Sequence, residues 1–386
     1  MNRLGKQRRD GMVTRLITPR MVSKTITAVF GFTLLVLAGP AVAEQTFKLD
    51  IIEVTPRQFN PSGNEQAQIQ FRSERDGQAT VRFYDRRAYQ VREFAVEHIA
   101  ANETITVAWN GKDDQGQLVP NEAYFFTIEA TDIQGNRVEY DPTTNLKPRF
   151  APMAVNYDSD QQRLSFSVDQ DSVLDVRSGV SDGGPLLAKL VEWQPFLRGD
   201  YSIPWDGWDK AHTVKAVSLP NHQLYSQIQP LPANSILTVG HPDGQDDIYS
   251  LMQPQNSLKR KSATDFADQR YSQADASPYK HLSPVFDFDF NDVIATENDL
   301  PVLSGKGSIT LRLKESVKQR VTETRYEILV FVDYKFVTEI EEGRSPAKLN
   351  IDMANLAAGE HTFTVNLVTL QGGLATLNKR FIKKTD

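Results

Sequence analysis

The sequence predicts an all-β protein made of tandem β-sandwiches, and three observations carry that expectation. Apolar and polar residues alternate over short runs, while the three-to-four-residue recurrence of an amphipathic helix is scarce. Clusters of Gly, Asn, Asp and Pro separate those runs, as turns between short strands require. A tryptophan-centred string occurs twice, as Trp109-Asn110-Gly111-Lys112-Asp113 and as Trp205-Asp206-Gly207-Trp208-Asp209. The 386 residues are enough for several domains at roughly 100–200 residues each.

Residues 1–43 read as a cleaved export signal. Arg3, Lys6, Arg8, Arg9, Arg15, Arg20 and Lys24 form a basic stretch, and an apolar run follows over 25–39. Pro40 breaks that run, and Ala41-Val42-Ala43 is a small-x-small site for cutting before Glu44. The run is short for a bilayer span of about 20 residues, so no membrane anchor is expected after cleavage. A Sec-type signal of this kind implies a periplasmic or secreted protein. Its removal takes away seven basic residues and one acidic residue, moving the net charge from −6 to −12. So acidic a chain lacks the basic patches that nucleic acid and anionic membrane surfaces select. The chain has no cysteine. That excludes disulfides, c-type haem, iron–sulfur clusters, thiolate zinc sites, a cysteine nucleophile and a lipid-modified N-terminus.

Residues 44–148 form the first expected sandwich, with alternating strands at 80–84, 104–109 and 124–130. In the Trp109 string the indole fills the core at a strand end. Asn-Gly supplies a positive-φ turn, and the Asp113 carboxylate holds the loop backbone. Together with Val119-Pro120, Tyr124-Phe125 and Ile128-Glu129-Ala130, this pattern over 47–141 resembles the immunoglobulin-like domain first described in the flagellar hook-cap protein. That domain also occurs in many secreted bacterial proteins. The resemblance implies a fold and no particular activity, and a cleaved signal is unlike the hook cap's own export.

Residues 149–245 form a second, divergent sandwich, with strands at 164–168 and 172–177. It keeps the Trp-Asp-Gly-x-Asp string and lacks the Leu-Val-Pro that follows the first copy. Residues 246–284 are polar and read as a linker or mobile loop. Residues 285–386 form the third sandwich, with strands at 308–313, 326–333 and 362–368. Its Phe331-Val332-Asp333 and Gly359-Glu360-His361-Thr362 resemble two fixed points of bacterial immunoglobulin-like modules.

Few constellations point to chemistry. Asp287, Asp289, Asn291 and Asp292 lie in the string Phe286-Asp287-Phe288-Asp289-Phe290-Asn291-Asp292. The alternate spacing of Asp287, Asp289 and Asn291 puts three oxygen ligands on one strand face, with Asp292 next to them, which suits calcium. The bland reading is an edge strand with its phenylalanines in the core. Trp193, Phe196, Tyr201, Trp205 and Trp208 cluster within sixteen positions; core packing is their commoner role, Trp193 and Trp205 above all, while exposed rings among Trp193, Tyr201 and Trp208 would stack on sugars. Gly179-Val180-Ser181-Asp182-Gly183 matches a nucleophile elbow, but the elbow needs a strand-to-helix turn that the surrounding pattern lacks. His241, Asp243, Asp246 and Asp247 surround a turn signal, Arg198-Gly199-Asp200 reads as a turn, and Lys259-Arg260-Lys261 is too brief for a nucleic-acid site.

No residue is expected to be catalytic and no cofactor is required, calcium apart. The sequence therefore predicts an exported, non-enzymatic, multidomain scaffold, adhesion or assembly component of the bacterial envelope. Its expected partners are other envelope or extracellular proteins. The alternative is a carbohydrate-binding or substrate-targeting protein, assisted by calcium.

Overall fold

The structure is a computed structural model and describes residues 47–86, 88–144, 146, 151–241, 285–323, 325–370 and 373–384. The expected signal (1–43) and polar linker (246–284) lie outside the described residues, as do Asp243, Asp246, Asp247 and Lys259-Arg260-Lys261.

The chain is all-β. Its first strands are β1 (Leu49–Thr55), β2 (Gln58–Phe59), β3 (Ala67–Ser73), β4 (Gly77–Asp85), β5 (Gln90–Ile99), β6 (Thr104–Trp109), β7 (Ala123–Asp132) and β8 (Arg137–Tyr140). Next come β9 (Asn156–Asp158), β10 (Arg163–Val168), β11 (Ser172–Val180), β12 (Leu186–Phe196), β13 (Gly199–Pro204), β14 (His222–Pro230) and β15 (Ile236–Thr238). The last group is β16 (Phe286–Phe290), β17 (Ala295–Glu297), β18 (Leu300–Leu303), β19 (Lys306–Leu313), the helix α1 (Glu315–Glu323), β20 (Tyr326–Val332), β21 (Lys335–Ile340), β22 (Ala347–Asp352), β23 (Gly359–Thr369) and β24 (Leu374–Lys383).

The sheets repeat one plan three times. The three-stranded sheets run β1-β3-β6, β9-β10-β13 and β16-β19-β22. The facing sheets contain β5-β4-β7, β12-β11-β14 and β21-β20-β23. This splitting of sequential strands between two sheets is the plan of an immunoglobulin-like sandwich. The Trp strings thus belong to equivalent places, since Trp109 ends β6 and Trp205 follows β13. The divergent second segment therefore has the same strand order as the first.

The burial pattern explains why these segments are strands. In β10, Leu164, Phe166 and Val168 are buried while Ser165 and Ser167 are exposed; β22 alternates in the same way. A period of two puts one set of side chains between the sheets and the other toward water. β7 is buried on nearly every residue because neighbours cover both of its faces. Each sandwich has its own core, centred on Trp109 with Phe83 and Tyr124, on Leu174, Val176 and Phe166, and on Phe288, Phe363 and Phe381.

Two features depart from the sequence pattern. α1 is a helix where no helix is expected. Among the helix residues whose burial is described, Val317 and Val321, one turn apart, are buried against the third core, and so short a stripe leaves little periodic signal. β15, from the segment assigned to the second sandwich, pairs with β7 and β2 of the first. Ile236 packs in the first core.

Candidate functional site

The two tryptophan loops are built alike. Trp109 is fully buried, its ring 4.5 Å from Phe83, 5.1 Å from Tyr124 and 5.8 Å from Phe59. Its indole N–H donates to the Lys112 carbonyl (3.0 Å). Trp205 lies 5.0 Å from Tyr157 and 5.8 Å from His222, and donates to the Trp208 carbonyl (2.8 Å). The Asp113 Oδ1 accepts from the N–H groups of Gln115 (3.0 Å) and Gln117 (2.8 Å). The Asp209 Oδ1 accepts from Thr213 (2.6 Å) and Val214 (2.8 Å). Gly207 has φ +84°, and a Cβ there would come within 2.4 Å of Val217. The missing Leu-Val-Pro is replaced functionally: a Trp208–Lys215 bridge stands where the first loop has Lys112–Leu118.

A polar and apolar junction joins the first two sandwiches. Trp193 sits at a bulge in β12 with φ +47°, and its buried side chain packs with Val173, Leu231, Ala123 and Leu237. A bulge re-aims a side chain, here out of its own core and against the first sandwich. Arg86 donates to the Trp193 carbonyl (3.1 Å) and pairs with the buried Glu122 (2.7 Å). Burial pushes the Glu122 carboxyl up from its ordinary value, against the pull of Arg86. Arg57 pairs with Asp171 and donates to the Ser235 carbonyl.

The second and third sandwiches meet through side-chain amides. Asn366 accepts from the Leu186 N–H and donates to the Leu186 carbonyl, both at 2.8 Å. Thr376 donates to the same carbonyl (2.7 Å). Asn378 donates to the Leu187 carbonyl (3.1 Å) and to Asp209 Oδ2 (2.9 Å). Asn366 and Asn378 are both buried. An amide can satisfy a donor and an acceptor at once, so this row occupies the free edge of β12 as a further strand would.

The predicted site residues separate. Phe286 and Phe288 are buried, and β16 is an edge strand. Asp287 pairs with Lys379 (2.8 Å) and Asp289 with Arg312 (2.9 Å). Burial would raise the Asp287 carboxyl, but its bond to Lys379 carries it below the ordinary value. Asn291 accepts from Thr310 (2.9 Å), and Asp292 accepts from Ser308 (2.7 Å). Calcium at these oxygens would have to displace those partners. Among the described residues, no three Asp, Glu or His side chains converge as a metal site.

The aromatic cluster separates too. Trp193 lies in the first junction. Tyr201 stacks on Phe166 (5.7 Å, 23°) and donates to the Leu197 carbonyl (2.8 Å). Trp208 stacks on His212 (5.9 Å, 5°). Each of the three rings thus has a different neighbour. Ser181 lies in the β11–β12 turn, where Asp182 and Gly183 have positive φ. A strand follows, so the elbow geometry is not formed. Gly199 begins β13, and the His241 N–H donates to Asn121 (2.9 Å).

Sequence reading missed Arg86, Glu122, Asn366 and Asn378. For the two asparagines the signal was a run of polar residues at alternate positions of β23 and β24. That pattern is the same for a face turned to water.

No known family matches the chain, and no curated protein matches it by sequence. Among solved structures it is similar to one concerning host-cell surface retention of a bacterial ice-binding adhesin (9% identity, TM-score 0.19, 88% of this chain and 98% of that one). Another is a tetra-tandem repeat in the extending region of a large adhesion protein (14% identity, TM-score 0.21, 88% and 75%). A third is the central fibronectin-III array of RIM-binding protein (11% identity, TM-score 0.18, 87% and 97%). Likenesses at these TM-scores carry no weight for fold or function. The strand order itself defines the class: an all-β protein of tandem sandwiches.

Proposed function

We propose that the chain is an exported, non-enzymatic scaffold or adhesion component of the bacterial envelope, which holds other proteins on fixed sandwich surfaces. One observation carries this reading. The sandwiches are joined by mostly buried side chains: Trp193 and Glu122, the latter paired with the partly buried Arg86, at one junction, and Asn366 and Asn378 at the other. Buried polar groups matched this closely hold neighbouring domains in one arrangement, whereas independent domains need only an exposed linker. A fixed arrangement suits a part that must present several surfaces together. The expected export signal and the acidic charge support the same reading.

Cell fractionation with N-terminal sequencing tests the compartment. The expected product begins at Glu44 in the periplasmic or extracellular fraction; a cytoplasmic chain with residues 1–43 intact would overturn it. Small-angle scattering tests the fixed arrangement. The native chain should fit one conformation, and Asn366→Ala with Asn378→Ala should broaden the distance distribution. A native chain as broad as the double variant would remove the basis for the proposal.

A further inference from the structure

The second sandwich has the least covered edges. In the first, β7 is covered by β8 and β15, and in the third, β23 is covered by β24. Among the described residues the corresponding strand β14 has only a bridge to Ala151, with N–H to carbonyl distances of 2.9 and 3.1 Å to Ile228. On the facing sheet, β9 covers β10 only from Arg163 to Ser165. The chain before Asn156 leaves that sheet to reach Ile228. A groove of about 760 Å³ lies between the two edges.

The exposed edge of β10 has a definite polarity. The Trp205 N–H donates to the Gln162 carbonyl (2.9 Å), so that carbonyl points toward β13. The N–H of Arg163, on the same peptide unit, points the opposite way, toward β9. In an antiparallel ladder both main-chain groups of alternate residues face one side. Arg163, Ser165 and Ser167 therefore turn toward β9. Asn156 pairs opposite Ser165, and no described residue continues the ladder opposite Ser167. The Ser167 N–H and carbonyl face the groove.

The side chains around that edge select an occupant. Phe166, Ile228 and Pro230 line the inner side, while Ser167, Asp169 and Asp200 line the outer side. No basic residue lines the groove, and neither aspartate has an ion pair among the described residues. Sugar stacking is disfavoured because the Tyr201 ring lies on Phe166 and Phe196 and its hydroxyl is bonded to Leu197. We infer that the groove binds an extended segment of a partner protein, with apolar residues alternating with lysine or arginine, as an added strand beside β10. The apolar residues enter between the sheets, and the cations meet Asp169 and Asp200. The inference rests on the scaffold reading only in taking a protein as the partner.

The test is fluorescence anisotropy of a labelled peptide of alternating valine and lysine, titrated with the purified chain. Saturable binding is expected, about tenfold weaker or worse for a glutamate-for-lysine peptide and for one with alternate backbone amides methylated. Ser167→Pro removes the groove-facing N–H, leaves the main-chain ladder to β13, and should weaken binding by about tenfold, whereas Ser167→Ala, which removes only the Ser167 hydroxyl bond to Asp200 (2.6 Å), should bind nearly as the native chain. The exposed pair Asp169→Asn and Asp200→Asn, which leaves the core intact, should weaken it several-fold. No binding by the native chain, or equal binding by the Pro variant and the methylated peptide, would overturn the inference. Displacement of the peptide by neutral oligosaccharides would also overturn it, in favour of a sugar site. None of these results moves the scattering of the native chain, so this inference and the scaffold reading fail separately.

Discussion

The first and second sandwiches share a strand order and a tryptophan loop, yet they complete their sheets differently. The first takes β15 from the end of the segment assigned to the second and buries Ile236 in its own core. Among the described residues the second has no strand in the corresponding place and shows the single Ala151–Ile228 bridge. The loops show what can vary. Asn110 becomes Asp206, Lys112 becomes Trp208, and Leu-Val-Pro disappears, while the indole bond to the carbonyl three residues on and the aspartate bonds to the loop N–H groups remain. The third sandwich has no tryptophan; Met353, buried just after β22, fills the equivalent place. The loop thus requires a buried plug and a carboxylate clamp, and the rest of its sequence is free.

The sharpest way to break this comparison is to remove the plugs. Trp109→Ala should cost about 4–5 kcal/mol, the upper end for a buried aromatic, because three rings pack on it. Trp205→Ala should cost about 3 kcal/mol, since the ring is slightly exposed and has fewer aromatic neighbours. Urea denaturation followed by circular dichroism checks both, and equal losses would mean that the plugs are equivalent.

The clamps come next. Asp113→Ala should cost about 1–2 kcal/mol for two loop hydrogen bonds on an exposed turn. Asp209→Ala should cost about 2–3 kcal/mol, because Asp209 is buried and its other oxygen holds Asn378 across the second junction. The Asp209 variant should also broaden the scattering profile, as the Asp113 variant should not.

The smallest effects are slopes with pH, and they run in opposite directions. Burial would raise the Asp132 carboxyl, but bonds from Asn136, Arg75 and Gln134 bring it from 3.8 to about 2. Its folded value lies below its unfolded value. Its contribution is therefore complete above pH 3.8 and lost as pH falls toward 2. Burial raises Asp175 from 3.8 to about 6; Arg177 opposes that shift and Glu192 adds to it. The folded chain then holds a proton that the unfolded chain has released. Stability from this site is greatest below pH 3.8 and declines as pH rises to 6, by at most about 1.4 kcal/mol per pH unit. Asp175→Asn should flatten the decline between pH 4 and 6. Asp132→Asn should flatten the loss on the acid side. Urea midpoints measured from pH 3 to 7 separate the two, and parallel curves for both variants would contradict the assignment.

Much of the fold was legible in the sequence. The alternation over 104–109 coincides with β6, that over 164–168 lies within β10, and that over 362–368 lies within β23. The Trp109 and Trp205 strings marked two strand ends, and the proposed carboxylate clamp is present in both. The candidate sites were less legible. Asp287 and Asp289 read as candidate ligands from spacing, which does not reveal their cationic partners: Lys379 beside Asp287 and Arg312 beside Asp289 are distant in sequence and arrive only through the fold. Trp193 looked like a core or a platform because nothing local signals that a bulge turns it toward the first sandwich.

The sequence by itself determined where strands form and which face of each is apolar, because a period of two and the turn residues between runs are local properties. It also determined the charge and the absence of cysteine, and so the reliance on packed cores. Only the tertiary structure decided which sandwich β15 completes, which polar rows are buried at junctions, and which edge is left open. Those outcomes depend on pairing between distant segments, and a polar residue at an alternate position looks the same whether water or a neighbouring strand receives its hydrogen bond.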